Sequence, residues 1–211
     1  MKMKLRELSE CSAVCTSGSA GIPGVSGRGI DKEKEMTPER QYEFSWDFIG
    51  DIEQGRPNLG NMTRIEVYRL FQYTMRDILE QSFGTEEADR LLYRAGFLAG
   101  TELCRKFVGR CESLAEFVRK VEAVLIELKI GVLRIEELNQ DTARFVLTVA
   151  EDLDCSGLPE MGHAVCNYDE GFIAGLLEFQ TGHPFKVKEV DCWCTGDRTC
   201  RFEAAPAGEG A

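Results

Sequence analysis

No stretch of this 211-residue chain approaches the ~18 consecutive apolar residues that a membrane-spanning helix needs, so a helical bilayer insertion is not expected. Positive charge is scarce: 25 Lys and Arg against 36 Asp and Glu leave a net charge of −11. A surface this acidic repels phosphate backbones. No basic patch, helix-turn-helix or finger spacing offsets it, so nucleic acid is excluded as a partner. Histidine is limited to His163 and His183, and neither a Ser-His-Asp set nor a paired-carboxylate set stands out. No GxGxxG follows a strand pattern; Gly96 and Gly100 fall inside a helical pattern instead of opening one. An independent reductase is therefore not expected. Met1-Lys2-Met3-Lys4 is not followed by the apolar core of a secretory signal, and the expected compartment is the reducing cytoplasm.

Cysteine, by contrast, is plentiful, with nine residues. In a reducing compartment, clustered cysteines point to metal or redox chemistry more than to a disulfide framework. The length suits one domain, and the composition suggests where it lies. Ser17 to Gly29 holds five glycines, the make-up of a tether, and Asp31 to Arg40 is mostly charged. Residues 1–40 are read as a flexible arm carrying Cys11 and Cys15, residues 41–204 as the folded domain and 205–211 as a tail.

The hydrophobic period divides the domain. Phe44, Trp46, Phe48 and Ile49 suggest an opening strand. Thr63 and Glu66 have capping-box spacing, and Val67, Phe71, Met75, Ile78 and Leu79 then form the stripe of an amphipathic helix closed by Gly84. A second helix runs from Thr85 to about Phe107, with Glu86 and Glu87 in its first turn, where acid complements the helix dipole. Ser113 and Glu116 form another capping box before a third helix through Phe117, Val121, Val124, Leu125 and Leu128. After Gly131 the period falls from 3.6 to 2. Residues 132–138 and 143–151 read as strands joined at Asn139-Gln140-Asp141, a hairpin turn. A fourth helix spans about 165–180, and 185–192 and 200–204 complete the strands. The order implies an α+β fold, a mostly antiparallel sheet packed against about four helices.

One motif occurs twice. Tyr93-x-x-Gly96-Phe97-Leu98-Ala99-Gly100 returns as Tyr168-x-x-Gly171-Phe172-Ile173-Ala174-Gly175. Glycine inside a helix costs about 1 kcal/mol relative to alanine, so such pairs imply a close approach, either of another helix or of a flat ligand.

The densest chemistry lies at Glu189-Val190-Asp191-Cys192-Trp193-Cys194-Thr195-Gly196-Asp197-Arg198-Thr199-Cys200. Three thiols around a Gly-Asp turn can converge, and Cys166 lies at a helix start, where the dipole favours a thiolate. Glu189 shares a strand face with Phe185 and Val187, and a carboxylate on an apolar face needs a cation or a hydrogen-bond partner. Two ligand sets follow: Cys166, Glu189, Cys192 and Cys200, or four thiols with Cys194 in place of Glu189. Either closes a structural zinc site. Cys104, Cys111 and Cys155 read as bystanders.

The segments Gly171-Phe172-Ile173-Ala174-Gly175, Glu189-Val190-Asp191-Cys192 and Gly196-Asp197-Arg198-Thr199-Cys200-Arg201-Phe202 resemble the C-terminal signature of the 4-vinyl reductase domain family. Val67-Tyr68-Arg69-Leu70-Phe71 is similar to that family's first helix. The resemblance spans about residues 60–204. It implies a zinc held by Cys166, Glu189, Cys192 and Cys200, with Cys194 as an added thiol that would suit an iron–sulfur cluster instead. It further implies a fold like that of the NO-signalling and Golgi-transport ligand-binding domains, usually dimeric. Members include the sensory domains of aromatic-responsive transcription activators and proteins that accompany tetrapyrrole synthesis. Phenol-type sensors use a pocket His and Trp. Here the tryptophans are Trp46 and Trp193, and the histidines flank the fourth helix, so phenol is not the expected ligand.

The reading that follows is a stand-alone sensory or regulatory domain with a structural zinc, binding an apolar, aromatic or planar molecule, and acting as a homodimer or through a regulatory protein partner. Candidate pocket residues are Tyr68, Phe71, Met75, Phe97, Phe117, Val121 and Phe172. The alternatives are a tetrapyrrole carrier or enzyme component, and a thiol or iron–sulfur redox sensor.

Overall fold

The computed structural model describes residues 40–139 and 141–208. The expected arm with Cys11 and Cys15, turn residue Gln140 and the last three residues lie outside them. The chain divides into a unit up to Asp51 and a unit from Ile52 onward. In the first unit the expected strand is replaced by a 3-10 turn, Trp46–Ile49. Ser45 Oγ accepts from the Asp47 amide, and Gly50 closes the turn at φ 74°. The alternating aromatics that suggested a strand pair among themselves, Tyr42 with Phe48 and Phe44 with Trp46.

In the second unit, α1 (Ile52–Gly55) is a single turn. Two long helices follow, α2 (Ile65–Phe83) and α3 (Thr85–Leu103), with a π turn at Cys104–Val108 extending the latter. The capping box expected at Thr63 does not form; Arg64 precedes the first turn and ion-pairs with Glu66 instead. At α4 (Leu114–Glu127) Ser113 Oγ does cap the Glu116 amide. Strands β1 (Val132–Asn139) and β2 (Arg144–Ala150) form the hairpin, with Asn139 Oδ1 accepting from the amides of Asp141 and Thr142. Helix α5 (Asn167–Thr181) leads to β3 (Phe185–Asp191) and β4 (Cys200–Pro206). The fold is α+β: one antiparallel sheet in the order β1-β2-β4-β3, with helices against it.

One sheet face is buried: Phe145, Leu147, Val187, Phe202 and Ala204 are each at most 3% exposed. Helices α4 and α5 cover it, and from Glu170 to Leu177 every residue of α5 is buried. Outside α5 lies α3, and the repeated motif explains how they meet. A Cβ on Gly96 would fall on the Tyr168 carbonyl oxygen, and one on Gly171 on the Tyr93 carbonyl oxygen. Gly100 and Gly175 face Phe172 and Phe97 in the same reciprocal way. The two copies of the motif are thus the two halves of one backbone-to-backbone crossing, and not the floor of a pocket.

Helix α2 departs most from its hydrophobic pattern. None of its residues is buried, and the stripe that reads as core-facing is exposed, with Leu70 at 67% and Phe71 at 65%. The opposite, polar edge faces inward. Among the described residues no helix is long and apolar enough to cross a membrane.

Candidate metal centre and the adjoining cavity

Three peptide segments converge at one end of the buried sheet face. The first is the loop after β2. Asp152 Oδ1 accepts from the amides of Asp154 and Cys155, folding the loop back on itself. The polar edge of α2 holds it from outside. Arg69 donates to the carbonyls of Leu153, Asp152 and Ser156, Tyr73 to the Asp154 carbonyl at 3.1 Å, and Tyr68 and Gln72 to the Asp154 carboxylate. Tyr68, a candidate pocket residue, is therefore a loop clamp. Arg76 extends the clamp to Asn167 at the start of α5.

The second segment is the start of α5, where Cys166 sits at the N-cap position, 1% exposed. The third runs from β3 through the turn to β4. Strict alternation from the inward-facing Glu189 would turn Cys192 outward. A bulge between Glu189 and Asp191 shifts the parity, so Glu189 and Cys192 are both buried while Val190 is exposed. The 3-10 turn Trp193–Thr195 then closes with Thr195 Oγ1 accepting from the Cys192 amide and Gly196 at φ 102°. This returns the chain to Cys200.

The result is a group of four buried thiols, Cys155, Cys166, Cys192 and Cys200, whose Sγ atoms all lie within 4.8 Å of one another. The distances Cys166–Cys192 and Cys166–Cys200 are both 3.9 Å, and Cys155–Cys200 is 3.0 Å. Zinc–thiolate bonds of about 2.3 Å put tetrahedral sulfurs about 3.8 Å apart. The donor set fits a metal ion with little rearrangement. Cys155, which sequence spacing set aside as a bystander, is one of the four; Cys194 is not. Cys194 is fully buried, its carbonyl accepts from the amides of Met161 and Gly162, and burial pushes its thiol up to about 12.

Glu189 stands beside the group. Its Oε2 accepts from the Cys166 amide at 3.4 Å, whereas Oε1 is buried without a partner. Burial, reinforced by Cys192, lifts its carboxyl to about 8. Among the thiols, Cys192 is drawn well below the usual range because its three neighbours donate to it, while Cys166 is pushed up. The cluster thus favours a thiolate before any cation arrives. It also leaves an orphaned carboxylate oxygen pointing to positive charge.

Next to the thiols, between α4, α5 and the sheet, lies a narrow cavity with about 600 Å³ of atom-free space, mouth included. Phe117, Val121 and Phe172 line it, with Leu133, Leu147 and Leu176. Of the other candidate pocket residues, Phe71 and Met75 lie on the exposed face of α2, and Phe97 packs at the α3–α5 crossing. The missed lining residues come from the sheet, where alternation marks a buried face without distinguishing core from pocket wall. His163 and His183 are exposed, and Trp193 donates to the Leu158 carbonyl; none of them lines the cavity.

Residues 145–206 match the vinyl-4-reductase (V-4-R) domain family. An uncharacterized protein of Methanocaldococcus jannaschii is 27% identical over 176 residues, covering 82% of this chain and 92% of its own. The phenol-responsive sensory domain of the transcription activator PoxR, solved with phenol, superposes with a TM-score of 0.51 at 16% identity, over 69% of this chain and 76% of that one. A trafficking protein particle complex subunit 3 from Naegleria fowleri, covalently bound to palmitic acid, gives 0.54 at 15% identity, over 68% and 95%.

Proposed function

We propose that this chain, whose residues 145–206 carry a vinyl-4-reductase domain, is a small-molecule-binding regulatory module of the cytoplasm, built on a structural zinc site. The observation that carries the reading is the apolar cavity enclosed between α4, α5 and the sheet. Protein cavities that hold small ligands are of this kind, apolar with a few polar groups. Two proteins of like fold hold a phenol and a palmitic acid, which supports the same use here.

The four thiolates Cys155, Cys166, Cys192 and Cys200 would hold the zinc, and Glu189 replaces Cys155 if the ion prefers three thiolates and a carboxylate. Bound there, a zinc ion supplies a crosslink rather than a reaction, because four protein ligands leave no open position. The residues themselves tie the β2–α5 loop, the start of α5 and the β3–β4 turn to one point, which is also one end of the cavity. A ligand that changes the packing of α5 thereby acts on the metal-bound loop and on α2, and it biases an assembly only through different affinity for two states.

The assembly proposed is a homodimer formed through the exposed stripe of α2. Val67, Leu70, Phe71, Met75 and Ile78 make a contiguous apolar surface of the kind that marks an interface. Light scattering is expected to show a dimer for the native chain and a monomer for Phe71→Glu. A native chain that is monomeric at all concentrations removes the dimer from the proposal.

The cavity itself is tested with the neutral fluorescent probe N-phenyl-1-naphthylamine. Saturable binding of about one probe per chain is expected, and Val121→Trp, which fills the cavity, is expected to weaken it about tenfold or more while far-ultraviolet dichroism and metal content hold. Equal binding by the folded Val121→Trp variant would place the probe elsewhere and overturn the reading.

A further inference from the structure

The cavity has one polar end. Of the side chains that line it, only Asp152 and Asp169 are charged. Their carboxylate oxygens and Cys166 Sγ lie within 4.8 Å of one another. Asp152 is 3% exposed, with Oδ1 held by the amides of Asp154 and Cys155. Asp169 Oδ2 is sealed from solvent, and no donor among the described residues reaches it. A buried acceptor without a donor is costly to maintain. The cations nearby in the fold have other partners: Arg69 is held by three carbonyls of the loop, and Lys188 by Glu170.

We propose that the ligand of this cavity is an apolar amine, its hydrocarbon part in the slot and its ammonium on Asp169 and Asp152. This rests on the reading of the cavity as a ligand site. An ammonium carries three donors and no acceptor, so one head group supplies Asp169 Oδ2 and still reaches Asp152. A hydroxyl has a single donor to offer, and a carboxylate has none and adds like charge. The surroundings favour the cation further: Asp154, Glu189 and the four cysteines lie on the same side, and four thiolates around a divalent ion keep a net negative charge. The slot is narrow, so a slender chain or a single ring fits it better than a tetrapyrrole.

The test compares n-octylamine, n-octanol and n-octanoate by calorimetry on the metal-loaded protein. Octylamine is expected to bind about tenfold tighter than either of the others, the range of a charge-assisted hydrogen bond. Asp169→Asn is expected to erase that preference. Should Asp169→Asn fail to fold, Asp152→Asn serves, because an amide oxygen still accepts from the loop amides, and it is expected to reduce the preference. Octanol or octanoate binding as tightly as octylamine overturns the amine while leaving the cavity reading standing. No binding by any of the three, with no binding of N-phenyl-1-naphthylamine, overturns both. Metal content is measured alongside; a drop from two ions to one per chain in Asp169→Asn would mean that the carboxylates hold a second ion, which also overturns the amine.

Discussion

Cys200→Ala is expected to leave the purified protein without its metal and with β3 and β4 unpaired from the sheet. Cys200 opens β4, and its Sγ is 3.0 Å from that of Cys155 and 3.9 Å from that of Cys166. Removing it therefore disconnects the β2–α5 loop and α5 from the sheet together. Structural zinc contributes folding free energy directly, about 10–16 kcal/mol in small zinc domains. A chain of this size has a larger core of its own, so the loss is partial, but a fall in Tm of about 10 °C or more is expected. Elemental analysis of the native protein should give about one zinc per chain and no colour; iron with charge-transfer absorption would assign a redox cluster instead. The fourth ligand separates by substitution. After exchange with cobalt, the thiolate-to-metal absorption should weaken in Cys155→Ser and persist in Glu189→Gln. The opposite pattern would put Glu189 in the ligand set. A Cys200→Ala protein with full metal and unchanged Tm would sink the structural role altogether.

The second large effect is expected at a position with no chemistry. Gly171→Ala puts a methyl group onto the Tyr93 carbonyl oxygen, with the Phe97 amide nitrogen 2.9 Å away. Both are main-chain atoms of α3, so no rotamer change relieves the overlap and the helices must separate. Overpacking of cores costs about 1–3 kcal/mol where side chains can yield, and a backbone clash belongs at or above the top of that range. Gly96→Ala meets the Tyr168 carbonyl and is expected to cost as much. The pair should be less than additive, because helices already parted by one methyl accommodate the other. Gly55→Ala, with open space around it, is the control and should change stability little. Urea midpoints of the four proteins decide the matter. A Gly171→Ala protein as stable as the native one would mean that α3 and α5 are not in backbone contact.

This contrast shows how unevenly the fold was legible. The two glycine motifs are local patterns, and each was readable as a close approach; that they are each other's partners was not, since Gly171 lies 75 positions after Gly96 and nothing local encodes which helix crosses which. The sheet strands were readable from the period-2 alternation. The face of α2 was not. A hydrophobic stripe states that one side avoids water, without stating whether the shelter is the chain's own core or another surface. Here the chain's own core is closed by α5, and α2 turns its polar edge inward because a loop of exposed carbonyls and a buried Asp154 need donors.

The same division runs through the site. Composition and spacing alone determined that Cys166, Cys192 and Cys200 belong to one chemistry, because a turn and a helix start place thiols predictably at short range. Tertiary structure decided two further things. A bulge at Val190 sets the parity of Cys192 against Glu189, and bulges are compensated across strands, not within them. Cys155 joins the cluster from 45 residues away, because the Asp152 turn and the α2 clamp hold its loop there. Its place depends on hydrogen bonds to residues more than eighty positions earlier in the chain, which only the folded packing brings together.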